Sequence, residues 1–299
     1  MRTKILITGK NSFVGRNILH YSKFKNIEEI SLFENKPENI DFGKYDVVIH
    51  LVAIVHQTKR IPVEDYFIIN RDLCLEVANR AKKAGVKQFV FLSSVKVYGK
   101  FIPGSKPWNE FSECHPDDAY GKSKYEAEKA LRKLEDADFR VAVVRTPLVY
   151  GEKVMANMLS IIKFISFSFI VPFKEIYNRR NFTSGENLVA FIDRIIEKNA
   201  SGTFIAMDKE AISTTELVKM ISDFMGKKIF LFKLPDFIIK TAVFLVPKIF
   251  DRLFGSFEID NSSTLKILDF EPPVSITEGI KKMVESFKQK QSPRNSSKG

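Results

Sequence analysis

Cysteine is almost absent from this chain: Cys74 and Cys114 are the two it has among 299 residues, beside a single tryptophan and four histidines. The two cysteines stand at neither metal-ligand nor disulfide spacing, which excludes a disulfide scaffold and a zinc cluster and suits a reducing compartment. No metal is expected. Long hydrophobic runs are missing too, and none reaches the ~18 residues of a membrane span. The nearest, "IIKFISFSFIVPF" (161–173) and "LPDFIIKTAVFLVPKIFDRLF" (234–254), are broken by Pro, Lys or Asp. They are expected to be buried or interface helices, with peripheral contact at a membrane surface as the alternative. The opening apolar stretch is too short for a secretory signal, so a cytoplasmic protein is expected.

Charge of one sign is abundant: 47 Lys and Arg against 36 Asp and Glu, a formal net charge of +11. The lysines are spread along the chain, without arginine–aromatic clusters or a nucleic-acid-binding signature, so no nucleic-acid partner is expected. An anionic small substrate accounts for the charge as well. The tail "KQKQSPRNSSKG" (288–299) reads as disordered. At 44% hydrophobic residues the rest is long enough to bury a sizeable core.

Strand-like runs recur at 4–8, 28–33, 46–52, 88–94, 140–145 and 203–207, most of them separated by amphipathic stretches at 14–24, 64–84, 118–135 and 186–198. That alternation predicts an α/β protein with a doubly wound parallel sheet. "ENID" (38–41) is expected to be the stub of a missing strand. From Gly151 the pattern loosens, which predicts a smaller second domain. Ligands of such sheets sit beyond the carboxyl ends of the strands, so Gly9 to Gly15, Phe33–Glu34, Ala53 to His56, Ser93–Ser94 and Thr146 to Tyr150 are the places to look.

The first of these, "KILITGKNSFVGRN" (4–17), lacks the middle glycine of a dinucleotide loop; Ser12 stands there. Gly9 still allows the turn, Gly15 allows close packing, and the following helix offers N–H groups to a pyrophosphate. A plain strand–turn–helix fits the same residues. A second signal is a tyrosine four residues before a lysine. Of three such pairs, Tyr120 and Lys124 share an apolar helical stripe with Ala127, Leu131 and Leu134, behind a helix start at Pro116 to Asp118. A lysine there needs a partner. An ammonium beside a tyrosine is expected to lower the phenol's pKa and let it trade a proton with a sugar or alcohol hydroxyl. Ser94 is placed to hold the same oxygen. Asn70 lies on a buried stripe with Tyr66, Leu73, Val77 and Ala81, so its amide needs partners.

Taken together, "ITGKNSFVG", "VIHLVA", Asn70, "FLSSVKVYG", "YGKSK" and "RTPLVYG" resemble, in order and spacing, the extended short-chain dehydrogenases, the nucleotide-sugar epimerase/dehydratase/reductase family. The similarity spans about residues 2 to 287, with "NRRNFTSGENL" standing where that family has a diphosphate-binding segment. Within the family the chain looks most like the bacterial capsule and O-antigen branch. The resemblance implies a Rossmann-type domain (1–150, with 184–207 returning to it) and a mixed α/β substrate cap (151–183 and 208–287). It implies NAD or NADP as cofactor, a UDP-sugar substrate and a homodimer through helices 64–84 and 118–135.

Residue by residue, the resemblance makes Tyr120 the acid/base, Lys124 the nicotinamide-ribose contact and Ser94 the ligand of the reacting hydroxyl, with Ser93 beside it. Gly9, Ser12, Phe13, Val14 and Gly15 would form the pyrophosphate loop, Asp41 and Phe42 the adenine contact, and Leu51, Ala53, Asn70 and Pro147 the cofactor groove. Glu34, just past the second strand, is placed for a ribose hydroxyl, although Lys36 is placed for a 2′-phosphate. Arg180 and Arg252 are candidates for the diphosphate, and Asn157 for the nucleotide. Val95 and Lys96 replace the Asp–Glu pair of the dehydratases, which argues against 4,6-dehydration. Lys96, at the edge of the substrate site, also replaces the second hydroxyl of many epimerases, and Gly185–Glu186 replaces "VD". These residues imply 4-keto reduction or 4-epimerisation of a UDP-hexose or UDP-N-acetylhexosamine. A non-catalytic dinucleotide-binding regulator is the rival reading; it has no need of Ser94, Tyr120 and Lys124 together.

Overall fold

The computed structural model describes residues 3–55, 61–102, 104–235, 245 and 253–291, without the side chains of 156 and 157. Six strands form one wholly parallel sheet: β1 (Ile5–Thr8), β2 (Ile27–Ile30), β3 (Val47–His50), β4 (Gln88–Ser94), β5 (Arg140–Thr146) and β9 (Gly202–Ile205), in the order β2-β1-β3-β4-β5-β9. The central strands are buried from end to end because helices cover both faces, which is why their sequences are continuous apolar runs. β2, at the edge, carries Glu28 and Glu29.

On one face α1 (Phe13–Tyr21) and α6 (Gly185–Glu197) bury Ile18, Leu188, Phe191, Ile192 and Ile195 against the sheet. On the other, α3 (Cys74–Lys83) and α4 (Ala119–Arg132) bury Val77, Ala78, Ala81, Ala127 and Leu131. α4 starts at Asp118, whose carboxylate accepts the Gly121 N–H at 2.7 Å. The run 28–33 is shorter as a strand than its apolarity implies. Glu34 and Asn35 both donate backbone N–H groups to Ser31 O, turning the chain after Ile30. Residues 38–41 are not a strand stub: Pro37–Asn39 is a single helical turn, followed by another at Phe42–Lys44. Proline at the first turn presets the helical φ there.

Beyond β5 the chain builds a second core. β6 (Leu148–Tyr150) pairs with β8 (Phe182–Ser184), and β7 (Ile170–Val171) with β10 (Phe230–Leu231). Around them lie α5 (Ala156–Phe167), α7 (Thr214–Met225), α8 (Ser262–Leu268) and α9 (Ile276–Gln291). Met158, Ile162, Ile165, Val171, Leu217, Val218, Ile221, Ile280, Met283 and Val284 form this core. α5 accounts for part of the run 161–173 and is only half covered, since Phe164 and Phe167 are exposed. Most of the run 234–254 lies outside the described residues. The tail begins later than expected, because 288–291 belong to α9; 292–299 lie outside the described residues.

A polar joint ties the two cores together. Asn187 spans Asp208 Oδ1 and both backbone groups of Val274, and Asp208 also accepts from Ser184 N–H and Tyr150 OH. Burial raises the Asp208 pKa, opposed by these donors. A Cβ on Gly185 would stand 2.3 Å from Asn17 Oδ1, so the close approach of α6 to α1 needs glycine here.

Candidate active site

Parallel strands bring their carboxyl ends to one edge of the sheet, and most of the sequence-derived candidates follow them there. After β1, Gly9 turns the chain at φ +116°, where a Cβ would also meet Leu51 Cβ at 3.1 Å. Gly9 and Lys10 both donate N–H groups to Ile30 O, fixing the loop to the end of β2. Ser12 is the N-cap of α1, its Oγ accepting the Gly15 N–H at 3.0 Å. The serine in the missing glycine's place therefore completes the helix start. A Cβ on Gly15 would lie 2.4 Å from Glu29 Oε1 and 2.8 Å from Ser12 Oγ. This tight cradle at a helix N-terminus fits a dinucleotide pyrophosphate. Phe13 packs on the second core and Val14 on the first, so only their backbone faces the loop's concavity.

Other cofactor candidates divide by exposure. Leu51, Ala53 and Pro147 follow β3 and β5 at the same edge, with Leu51 and Ala53 half-buried and Pro147 buried. Glu34 and Asp41 are exposed, and Asp41 pairs with Lys44 at 3.4 Å. Phe42 is 2% exposed in the sheet core, so its ring serves packing. Ser93 is buried and gives its hydroxyl to Glu128, so its side chain faces away from the ligand edge. Glu128 lies on α4, the helix that also carries Tyr120 and Lys124.

Asn70 uses both ends of its amide. Oδ1 accepts the Ile54 N–H at 2.7 Å, and Nδ2 donates to Ile54 O at 3.1 Å and Ser123 Oγ at 3.0 Å. It lies within a π-helical turn, Ile68–Leu73, between α2 (Val63–Phe67) and α3. Such turns cluster at functional sites. Asn70 thus braces the loop after β3 against α4. Asn70→Leu leaves both Ile54 backbone groups without a partner in a buried place. It is expected to lower unfolding free energy by ~2–3 kcal/mol, read as a lower denaturant midpoint at unchanged slope.

Ser94 and Tyr120 meet: the Ser94 side chain works against the rise that burial imposes on the Tyr120 phenol, which ends at about 12. Ser94 Oγ also accepts the Lys96 N–H at 3.2 Å, capping the short helical turn Val95–Tyr98. Lys96 is half-buried on that turn. Lys124 corrects the expectation for its tyrosine. Its ammonium donates to Leu92 O at 2.8 Å and lies 4.4 Å from the centre of the Phe91 ring, and the phenol is raised rather than lowered. Burial holds Lys124 itself down, at about 8. The core-facing stripe is as read, with Lys124, Ala127 and Leu131 all buried.

Arg180 stands just before β8, which pairs with β6 beyond the carboxyl end of β5. Its backbone bridges Ile212 and Phe257, and Nη1 donates to Gly255 O at 2.8 Å. Asn178 and Asn181 hold the same segment. Arg252 and His56 lie outside the described residues, as does the side chain of Asn157 at the start of α5. The sequence reading missed Glu128 and Arg145, a buried pair at 2.6 Å that receives Ser93. The signal was present: Glu128 stands one turn beyond Lys124. No cluster of metal-binding side chains occurs among the described residues.

A doubly wound sheet with a glycine cradle at β1, a seryl hydroxyl at β4 and a tyrosine one turn before a buried lysine defines the class of dinucleotide-dependent oxidoreductases of the short-chain type. The family profile described as NAD dependent epimerase/dehydratase family matches residues 5–205. The chain belongs to that family. It is an NAD(P)-dependent nucleotide-sugar enzyme of the epimerase and reductase kind. A UDP-glucose 4-epimerase of Vibrio cholerae is 31% identical over 97% of this chain and 97% of its own length. An N-acetyl-alpha-D-glucosaminyl-diphospho-ditrans,octacis-undecaprenol 4-epimerase of Escherichia coli O157:H7 is 26% identical over 77% of this chain and 74% of its own. A dTDP-4-dehydrorhamnose reductase from Clostridium acetobutylicum shares the fold, with TM-score 0.76, 22% identity and coverage of 96% of this chain and 100% of that one.

Proposed function

We propose that the chain exchanges hydride and proton at C4 of a UDP-hexose or UDP-N-acetylhexosamine, acting as a 4-epimerase in surface polysaccharide synthesis. The observation that carries this reading is the meeting of Ser94 and a proton-bearing Tyr120 at the same sheet edge as the glycine cradle. The full-length similarity to the Vibrio cholerae 4-epimerase supports epimerisation, and the Escherichia coli relative supports an N-acetylhexosamine as substrate.

Bound NAD(P) supplies the acceptor and donor of hydride. Gly9, Ser12 and Gly15 cradle its pyrophosphate, and Lys124 holds its nicotinamide ribose. Ser94 binds the C4 oxygen of the sugar. Tyr120 takes the proton of the 4-hydroxyl and returns it to the 4-keto oxygen. The elements around the second core form a substrate cap, in which Arg180, Asn157 and Arg252 hold the nucleotide diphosphate. A homodimer through α2–α3 and α4 is consistent with Val63 and Ile68 standing exposed on that helical face.

A 4-keto reductase is the second reading. Lys96 favours it, because it occupies the place of the second hydroxyl residue found in many epimerases. The protein, incubated with UDP-glucose, UDP-GlcNAc or a UDP-4-keto-6-deoxy sugar plus NADH or NADPH, separates the two. Conversion between C4 epimers with steady absorbance at about 340 nm is expected of the epimerase, and a continuous fall of the reductase. Binding of the dinucleotide with neither reaction overturns the proposal in favour of a regulator.

A further inference from the structure

One edge of the second core is apolar, aromatic and ringed with lysine. On α5 the exposed positions Lys163, Phe164 and Phe167 share one face at spacings of three and four. The chain then runs directly into β7. Cross-strand partners Ile170 and Phe230 are 63% and 66% exposed on the same side of the two-stranded sheet, and Phe169 beside them is 71% exposed. Phe230 N–H donates to Phe169 O at 2.8 Å, which ties β10 to the residue just before β7.

The lysines are organised around that surface. Lys227 caps the carboxyl end of α5 through Ile165 O and Ser166 O and stands 4.4 Å from the centre of the Phe169 ring. Lys163, Lys174, Lys228 and Lys233 are exposed around it. Within 163–175 and 227–233 five lysines oppose one acidic residue, Glu175, which is engaged by Lys174 at 3.8 Å and Lys233 at 3.4 Å. A cleft of about 340 Å³ lined by Lys174, Glu175, Tyr177, Thr215, Lys219 and Leu231 opens beside the apolar edge. Contiguous exposed aromatics mark interaction surfaces. A protein partner of ordinary interface chemistry would not ask for a ring of excess ammonium groups, because lysine is depleted from such interfaces. An anionic bilayer asks for both: apolar side chains that enter the acyl boundary and lysines whose stems lie along it while their ammonium groups meet phosphates.

We propose that this edge, formed by the carboxyl end of α5 with β7 and β10, docks the protein reversibly on an anionic lipid surface. Phe164, Phe167, Phe169, Ile170 and Phe230 enter the interface, and Lys163, Lys174, Lys228 and Lys233 meet the headgroups. The proposal does not rest on which sugar reaction the enzyme runs. The contact proposed is peripheral, and no helix among the described residues is long and apolar enough to cross a membrane.

The test is co-sedimentation of the full chain with phosphatidylcholine vesicles, with and without about 30 mol % phosphatidylglycerol. The wild type is expected to pellet with the anionic vesicles and to be released in part by high salt. Phe167→Asp/Phe230→Asp is expected to lower the partition coefficient at least ~10-fold, with melting temperature and dinucleotide binding retained. Lys228→Glu/Lys233→Glu, which leaves every apolar contact in place, is expected to remove the preference for phosphatidylglycerol. A wild type that stays in the supernatant with anionic vesicles overturns the proposal. So does an aspartate variant that binds like wild type, or one that elutes as a smaller species, which would make this edge a contact between copies of the chain.

Discussion

Tyr120→Phe is expected to lower turnover at C4 of the sugar nucleotide by ~10²–10⁴-fold, the range a positioned proton-transfer group contributes. The substitution keeps the ring and removes only the hydroxyl, from a side chain already half-buried at the start of α4. Melting temperature and dinucleotide binding should therefore stay near wild type. The phenol's pKa, pushed up to about 12 mainly by burial, keeps it protonated across the neutral range. In the free protein Tyr120 is thus poised to give a proton to a 4-keto oxygen and must be helped to accept one from a 4-hydroxyl. Lys124 donates one N–H to Leu92 O, and burial of the phenol, opposed by Ser94, is what sets Tyr120 in the free protein. The hydride-accepting half-reaction should consequently speed up with rising pH in single-turnover measurements, and the keto-reducing half should not. A Tyr120→Phe variant that turns over UDP-sugar within a few-fold of wild type would remove Tyr120 from the proton-transfer role.

The sheet was legible because parallel strands buried on both faces must be apolar throughout, and the runs ending in Thr8, His50 and Ser94 obey that rule. The stripe through Lys124 was legible for the same reason in helical period. What escaped was set by contacts distant in sequence or by backbone detail. Leu32 is buried although the strand has already ended; the turn that ends it depends on Ser31 O receiving two N–H groups. The π-turn around Asn70 has no hydrophobic period of its own. Asn187, Asp208 and Val274 meet across intervals of 21 and 87 residues, which no local pattern records. The hydroxyl of Ser93 meets Glu128, 35 residues away, which its place beside Ser94 does not announce. The expected lysine-driven fall in the tyrosine pKa assumed that residues one helical turn apart act on each other. Here burial of the phenol is the largest influence, and Ser94 is the group that works against it.

Arg145→Met is expected to cost the fold ~3–5 kcal/mol, because it strands a carboxylate in the interior. Arg145 on β5 and Glu128 on α4 are 5% and 4% exposed. The guanidinium donates Nη2 to Oε2 at 2.6 Å and Nε to both carboxylate oxygens at 3.2 Å, and it lies 4.9 Å from the centre of the Tyr98 ring. Methionine keeps much of the volume over Tyr98 but leaves Glu128 with the Ser93 hydroxyl as its donor. At about 2–4 °C per kcal/mol for a chain of this size, the melting temperature should fall by roughly 6–20 °C. Adding Glu128→Leu to Arg145→Met removes the stranded charge and should recover much of the stability, as replacement of a buried pair by apolar side chains commonly does. The recovered double variant isolates a further effect: without Glu128 the Ser93 hydroxyl has lost its acceptor, next to Ser94 at the mouth of β4. If the pair serves only packing, the double variant should turn over as wild type does. If it also sets the direction of Ser94, kcat should remain depressed after the melting temperature has recovered.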